Sequence, residues 1–252
     1  MDRIKLSAYV IAYNEEEKIR ECLESVKWAD EIIFMDSFST DRTAEIAKEY
    51  TDKVYQHKFD GFGRLRNEAL ERCSNDWVLS VDADERVTPE LKSEILSLLE
   101  KGPNADAYLV PRKSHFLGRW IRHCGWYPDF RQPQFFNRRK MKYTSQMVHE
   151  TYELDGRLSR VKEHVLQYPF LTLDQFFKKM DRYSTLRSSE MKKEGRKFSV
   201  LSLILNPPAM FARMYITKLG FLDGAAGLVL SMLYAYYTAV KYIKLWEQNV
   251  KS

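Results

Sequence analysis

The feature that most constrains the fold is a regular alternation of strand-like and helix-like segments along the first 110 residues. Apolar runs typical of buried strands occur at "LSAYVIAYN", "EIIFMD", "DKVYQH", "WVLSVD" and "DAYLVPR". Between them, apolar residues recur at the spacing of one helix face, as at Ile19, Cys22, Leu23 and Val26. Strands that alternate with helices predict an α/β fold, with a mainly parallel sheet covered by helices on both faces.

The pattern changes after His115. The following 25 residues are aromatic and basic, with irregular glycine and proline, and predict mostly loop around a short strand at Phe135 and Phe136. Strand-like pieces follow near residues 147–154 and 162–168, and helical periodicity begins at Leu173.

A chain of 252 residues is long enough for one large domain with an appendage. We therefore predict a first domain over residues 1–170, built from the halves 1–100 and 101–170, and a helical extension over residues 171–252. Net charge separates the two parts. Residues 178–197 carry eight basic and three acidic side chains, which equals the whole chain's excess of +5 and indicates a local anionic partner.

The number and spacing of the cysteines indicate the redox environment of the protein. Cys22, Cys73 and Cys124 are odd in number and far apart, which argues against a disulfide framework and against a Cys-x-x-Cys zinc site. The first residues lead directly into a strand-like segment without the apolar run and cleavage site of a signal peptide. We therefore expect a reducing, cytoplasmic environment.

Carboxylates follow two of the predicted strands. Asp36 ends "EIIFMD", and Asp82 and Asp84 end and follow "WVLSVD". Ligands of open parallel sheets bind beyond the carboxyl ends of the strands, and residues two apart at a strand end point the same way. Asp82 and Asp84 are therefore expected to converge on a divalent cation, which prefers oxygen ligands. The alternative is that Asp84 and Glu85 simply open the following turn.

Glycine-rich phosphate loops are absent from the sequence. Neither G-x-G-x-x-G after the first strand nor G-x-x-x-x-G-K occurs. A nucleotide bound at this edge of the sheet would therefore need a metal to hold its phosphates.

Four segments stand in a recognisable order: "VIAYNEEEKIRECLESV", "MDSFSTDRTAEIA", "RLRNEAL" and "VDADERV". Together they resemble the family 2 glycosyltransferases, which have the GT-A fold, over roughly residues 6–87. The weaker similarity of "PQFFNRR", "VHET" and the tail "YITKLGFLDGAAGL" points to the bacterial branch that adds glucose to the lipopolysaccharide inner core. The resemblance implies a UDP-sugar donor, Mn²⁺ or Mg²⁺, and inversion at the anomeric carbon. It makes residues 1–100 the nucleotide-binding half and 101–170 the acceptor-binding half.

The same resemblance implies roles for individual residues. The end of the first strand would line the uridine pocket, with Asp36 hydrogen-bonded to the uracil ring and Arg66 near the base and the diphosphate. In the Asp82-Ala83-Asp84 motif, Asp82 would face the ribose or a metal-bound water and Asp84 would bind the metal. His164 is the candidate for a further metal ligand, because Gln167 stands where relatives often have histidine. The residues expected to line the uridine pocket are Ala12, Tyr13, Asn14 and Glu15.

The reaction needs a base that deprotonates the acceptor hydroxyl. Glu150, in "VHET", is our first candidate, and Asp129, in "WYPDFR", is the competitor. Each has the alternative reading of an ordinary surface acid.

The tail contains an uncharged run at residues 224–240, with tyrosine and lysine clustered towards its end. Its 17 residues lie at the lower limit of the roughly 17–25 that a spanning helix needs. We favour helices that lie in the interface of an anionic inner membrane, assisted by the basic segment at 178–197. The alternatives are packing on the sheet and contact between copies of the chain.

The sequence predicts an inverting, metal-dependent glycosyltransferase at the cytoplasmic face of the cell membrane, with a lipid-linked glycan such as lipopolysaccharide core as acceptor. A nucleotidyltransferase is one alternative, but "AYVIAYNEEEK" lacks the usual glycine-rich loop. A non-catalytic scaffold that binds membrane or nucleic acid is the other. The presence of Asp36, Asp82 and Asp84 counts against it, and we expect no nucleic-acid partner.

Overall fold

The structure is a computed structural model, and it describes residues 3–144 and 151–250. The chain packs as two compact units. The first comprises Met1–Arg112 and Phe130–Gln167, and the second comprises Lys113–Asp129 and Tyr168–Ser252. The predicted boundary at residue 170 lies close to Gln167, where the chain passes for the last time from the first unit to the second. Residues 113–129, predicted to belong to the first domain, group with the C-terminal helices.

Strands and helices are numbered along the chain. The strands are β1 (Leu6–Ala12), β2 (Glu31–Asp36), β3 (Val54–Gln56), β4 (Trp77–Asp82), β5 (Glu85–Val87), β6 (Ala107–Leu109), β7 (Arg112–Phe116), β8 (Arg119–Trp120), β9 (Pro133–Asn137), β10 (Met141–Tyr143), β11 (Tyr152–Leu154), β12 (Leu158–Arg160) and β13 (Val165–Phe170). The α-helices are α1 (Glu16–Val26), α2 (Thr43–Ala47), α3 (Phe62–Arg72), α4 (Pro89–Lys101), α5 (Leu173–Lys193), α6 (Val200–Ala212) and α7 (Gly224–Val250). A π-helical turn (Arg213–Thr217) and a 3₁₀ turn (Gly220–Asp223) join α6 to α7.

The first unit is built on a seven-stranded sheet in the order β12-β6-β9-β4-β1-β2-β3. All seven residues of β1 are buried, and β1 pairs in parallel with β2 on one side and β4 on the other. Only β9 runs antiparallel, between β4 and β6. A helix connects each successive pair among β1, β2, β3 and β4, and such crossovers bring strands together in parallel. The predicted mainly parallel α/β sheet is confirmed.

Alternate residues of β1 feed two separate cores, because successive strand side chains point to opposite faces. Ala8 and Val10 belong to one core, which α1 and α4 cover, and Tyr9 and Ile11 belong to the other, which α3 covers. Each fully buried aliphatic side chain contributes about 1.5–3 kcal/mol by leaving water. Helices therefore cover both faces of the sheet, as the periodicity predicts.

The second unit is helical, as predicted from Leu173 onward, with α5 and α6 both packed on α7. Its core includes Phe116, Phe170, Phe176 and Leu230. Among the described residues, no helix alone has the length and apolarity of a membrane span. Residues Val200–Thr217 and Gly220–Val250 together, bent by 72°, meet that test by length and composition.

All three cysteines are buried free thiols, so the prediction of no disulfide framework is confirmed. Cys22, on the buried face of α1, belongs to the core on one face of the sheet, and Cys73 belongs to the core on the opposite face. Cys124 belongs to the core of the second unit. Burial raises the pKa of each thiol, that of Cys73 to about 12.

Candidate active site

The carboxyl ends of the parallel strands gather the predicted acidic residues at one edge of the sheet. In the strand register Ala12 pairs with Asp36, and Ile11, on the other side of β1, pairs with Asp82. The two aspartates therefore flank the end of β1. This is the position where open parallel sheets bind ligands.

The loop after β1 is fastened to the loop after β2. Asn14, with a φ of 54°, donates its backbone N–H to Ser39 Oγ at 2.9 Å, and its side-chain oxygen accepts the Thr40 N–H at 2.8 Å. The Glu15 N–H binds Thr43 Oγ1 at 2.8 Å. Ala12 is buried, whereas the Tyr13 and Phe38 rings are 40% and 53% exposed. The Asn14 side chain, predicted to line a uridine pocket, thus holds two loops together. The Tyr13 and Phe38 rings of these loops are accessible.

Asp36 is fully buried at the end of β2. Its Oδ2 accepts the Ser39 N–H at 3.0 Å and a Gln56 amide hydrogen at 3.2 Å. Its Oδ1 has no hydrogen-bond partner among the described residues. A buried acceptor without a donor is costly, so this oxygen is suited to accept an N–H from a ligand.

Arg66 projects from α3 towards the end of β4 and is almost completely buried. Its guanidinium donates to Ser80 Oγ at 2.9 Å and to Asp82 Oδ1 at 2.7 Å. The same group lies over the ring of Tyr143, 5.6 Å from the ring centre. The charged bond to Arg66 fixes the orientation of Asp82, whose side chain remains 30% exposed.

Glu85 is fully buried and accepts hydrogen bonds from three groups around the turn that carries the Asp82-Ala83-Asp84 motif. Its carboxylate accepts from Arg112 Nε at 2.5 Å, from Gln134 Nε2 at 2.7 Å and from the Asp82 N–H at 3.0 Å. The pKa of Glu85 is raised overall. Burial raises it most, the charge of Arg112 lowers it, and the charges of Asp82 and Asp84 raise it. Of the two residues in the alternative reading, Asp84 lies in the turn after β4, whereas Glu85 begins the buried strand β5.

Asp84 is 6% exposed, and its Oδ1 accepts a hydrogen bond from Gln167 Nε2 at 3.3 Å. Gln167 reaches this position because β13 pairs with β5 in a register that sets Gln167 opposite Glu85. His164 lies just before β13, with its Nδ1 3.9 Å from a Glu163 carboxylate oxygen and its carbonyl bound by Thr88 Oγ1. Within residues 3–144 and 151–250, no three His, Cys, Asp or Glu side chains lie together in a way that could hold a metal ion. The oxygen donors at this turn, two aspartates and an amide, nevertheless suit a hard divalent cation.

The structure describes only one of the two candidate bases. Glu150 lies outside the described residues. Asp129 is half-buried and belongs to the second unit, whereas the aspartates of the sheet edge belong to the first. The assignment of the base stays a prediction.

Sequence reasoning missed residues that hold the surroundings of the aspartates. Arg112 and Gln134 bind Glu85 from 27 and 49 positions away, and Tyr143 accepts a hydrogen bond from Asn67, 76 positions away. Gln167, which binds Asp84, was noted in the sequence only as standing near the expected metal ligand.

The comparisons with known proteins agree with this geometry. The sequence model described as "Glycosyl transferase family 2" matches residues 7–154. The lipopolysaccharide core biosynthesis glycosyltransferase LpsC of Rhizobium meliloti is 30% identical, over 98% of this chain and 94% of its own. An uncharacterized glycosyltransferase of Rickettsia conorii is 27% identical, over 98% and 92%.

Among solved structures, S. aureus TarS aligns with a TM-score of 0.52 at 19% identity, over 96% of this chain and 54% of that one. The complex of TarS residues 1–349 with UDP aligns with a TM-score of 0.50 at 18% identity, over 98% and 92%. These structures support the fold. The match of the family model over more than half of the sequence, with the full-length similarity to LpsC, shows that this chain belongs to glycosyltransferase family 2 and has the GT-A fold.

Proposed function

We propose that this protein transfers a sugar, glucose by the resemblance of its sequence, from a UDP-sugar to a lipid-linked glycan of the lipopolysaccharide core type, with inversion at the anomeric carbon. The observation that carries the proposal is that Asp36, Asp82 and Asp84 lie together at the carboxyl edge of the sheet. Among the described residues, Asp36 Oδ1 has no hydrogen-bond donor, so a ligand can supply one. The similarity to LpsC supports the acceptor class, and the TarS complex shows that a protein of this fold binds UDP.

The nucleotide half would work through fixed hydrogen-bonding groups. Asp36 Oδ1 would accept the N–H of the uracil ring, because Oδ2 is held by Ser39 and Gln56 and cannot turn away. Arg66 would hold Asp82 in place while Asp82 faces the ribose. The Tyr13 ring, exposed beside the end of β1, would cover the base.

The residues that would hold a divalent cation are Asp84 and, through a bound water, Asp82. A cation bound there supplies electrostatic stabilisation of the charge that develops on the departing diphosphate. The buried Glu85 would hold the turn rigid, so that little reorganisation of the aspartates is needed.

The first test is donor use and its dependence on Asp84. We expect the purified full-length protein with Mn²⁺ or Mg²⁺ and acceptor to release UDP from one UDP-sugar of a panel. Asp84→Asn should remove the metal-dependent gain in UDP affinity, a loss of about 10–100-fold, since even groups that only support a metal ligand contribute that much. Calorimetric titration of UDP with and without Mn²⁺ measures it.

Asp155→Asn is the matched control, because its side chain is 89% exposed and makes only a surface ion pair with Lys140. It should bind UDP like the unmodified protein. An Asp84→Asn variant that keeps the full effect of Mn²⁺ would remove Asp84 from the metal site. Release of free nucleoside diphosphate from no donor would refute the transferase proposal.

We also propose that the second unit attaches the protein peripherally to the anionic inner face of the cell membrane. Helix α6 has no buried residue, and its exposed apolar side chains recur every four residues along one face, which is the pattern of an interfacial helix. These side chains are Val200, Leu201, Ile204 and Leu205. The apolar run at 224–240 is divided, because α7 buries Leu230 and Thr238 but exposes Leu228, Val229 and Met232.

The charge of the basic segment at 178–197 is partly neutralised by acidic residues within and next to it. Lys178 pairs with Asp174 at 2.8 Å, Arg187 pairs with Glu190 at 3.0 Å, and Arg196 pairs with Glu194 at 2.8 Å. The remaining attraction for an anionic surface is therefore a fraction of the roughly 1 kcal/mol per basic residue that such surfaces offer. Apolar burial of α6 should dominate the attachment.

Replacing Leu201, Ile204 and Leu205 together with glutamate should abolish flotation with anionic vesicles. Replacing Lys192, Lys193 and Lys197 with glutamine, which likewise lowers the net charge by three, is the charge-matched control and should only weaken flotation, as should 1 M salt, at which the Debye length is about 3 Å. If the unmodified protein does not float at low salt and instead forms dimers that the α6 variant loses, the surface is a contact between copies.

A further inference from the structure

The side chain that meets Asp84 is an amide. Gln167 is 7% exposed, and its Nε2 lies 3.3 Å from Asp84 Oδ1. Its place is set by backbone pairing, because Val165, Leu166 and Gln167 pair with Val87, Arg86 and Glu85. Any cation that binds Asp84 on this side must therefore meet the Gln167 amide.

We propose that Gln167 is a ligand of the divalent cation, through its side-chain oxygen, and that it sets the preference of the site among cations. This inference rests on the proposed metal-dependent binding of the donor. An amide carries an oxygen acceptor at one end and an N–H₂ donor at the other, and half a turn about its last bond exchanges them. Without a cation the nitrogen faces the carboxylate, and with a cation the oxygen takes its place.

His164, the residue that sequence resemblance favours, is placed less well. His164 precedes β13, so the strand pairing that sets Gln167 opposite Glu85 does not include it. Its side chain lies beside the Glu163 carboxylate, and its carbonyl accepts a hydrogen bond from Thr88 Oγ1.

The consequence is a site made of oxygen atoms alone. Carboxylate, amide carbonyl and phosphate oxygens suit Mg²⁺ and Mn²⁺, whereas imidazole nitrogen suits later transition metals such as Ni²⁺. Gln167→His should therefore raise the effect of Ni²⁺ on UDP affinity relative to that of Mg²⁺. Gln167→Glu should keep the effect of Mg²⁺, because it retains an oxygen at the same reach.

The experiment is calorimetric titration of UDP into the full-length protein without metal and with Mg²⁺, Mn²⁺ or Ni²⁺. For Gln167→Ala we expect an unchanged metal-free Kd and a loss of about tenfold or more in the gain that Mg²⁺ gives, the scale on which residues around a metal matter. His164→Ala is the control and should behave like the unmodified protein. Thermal unfolding confirms that each variant is folded.

Retention of the full Mg²⁺ effect by Gln167→Ala, or its loss in His164→Ala, would overturn the assignment of Gln167. That result leaves the proposed function standing if the unmodified protein shows metal-dependent binding. Binding of UDP that is indifferent to every metal would overturn the metal requirement itself, and this inference with it.

Discussion

Replacing Glu85 with leucine is expected to lower the free energy of unfolding by about 3–5 kcal/mol, because breaking a buried ion pair leaves the opposite charge in the interior. The Glu85 carboxylate is fully buried and binds Arg112, which is itself 2% exposed. The substitution also removes the acceptor of the Asp82 N–H and of the Gln134 amide. Urea unfolding followed by circular dichroism measures the loss.

Two further variants separate the ion pair from packing. Glu85→Leu combined with Arg112→Leu should recover part of the stability, since apolar residues can replace both partners of a buried pair without leaving a charge behind. Glu49→Leu, which breaks the exposed pair with Arg20, should cost far less because water screens such pairs. If Glu85→Leu and Glu49→Leu lowered the free energy of unfolding equally, the buried contacts of Glu85 would not stabilise the fold more than an exposed ion pair does.

Glu150→Gln is expected to lower kcat by about 10²–10⁴-fold, the contribution that a general base typically makes, while UDP-sugar binding is nearly unchanged. The substitution keeps the shape of the side chain and removes its basicity. An interaction made only in the transition state appears in kcat rather than in donor affinity. Steady-state release of UDP in the presence of acceptor, together with calorimetric donor binding, measures both quantities.

Asp129→Asn is the matched comparison, since Asp129 is the competing candidate. If Glu150→Gln turns over at nearly the normal rate while Asp129→Asn does not, the base is Asp129. If both variants stay active, the acceptor is deprotonated by another group.

The elements that sequence patterns predicted are those whose apolar spacing is strong and local. The runs of β1, β2 and β4 are apolar enough to indicate buried strands, and Pro89 begins α4, a position that suits proline, with Thr88 Oγ1 accepting the Leu91 N–H. The acidic residues at strand ends could be predicted for the same reason. Their place follows from strand direction alone.

Short charged strands escaped prediction. Strand β5 contains Glu85 and Arg86, which a single sequence assigns to the surface. Glu85 is buried because Arg112 neutralises it and Gln134 donates a hydrogen bond to it, both from distant positions in the chain, and no local pattern encodes that pairing. Arg86 donates to the carbonyl oxygens of Ala83 and Glu85.

Residue type alone would misplace the start of the second helix. Ser39 and Thr40 are of the types that cap helices, but both bind Asn14 in the neighbouring loop, and α2 begins only at Thr43. A hydroxyl before a helix can bind either its own backbone or another loop, and only the fold decides which.

Composition did not reveal how the apolar run of the tail is divided between packing and exposure. Residues 224–240 lie in α7, the helix on which α5 and α6 pack, and Leu230 is buried there. The same run exposes Leu228, Val229 and Met232, and α6 exposes apolar side chains as well. A helix in a bundle packs through one face and leaves another exposed, so the contact of these helices with a membrane stays a prediction.

The buried cysteines give this enzyme built-in reporters of local opening. A thiol reacts with an alkylating reagent only as the thiolate, and burial both blocks access and raises the pKa of Cys22, Cys73 and Cys124. Their labelling rates are therefore governed by transient opening of the structure around each one. Cys22 and Cys73 lie on opposite faces of the sheet and Cys124 lies in the helical unit, so pulsed alkylation with peptide mapping can follow each region separately without an introduced probe.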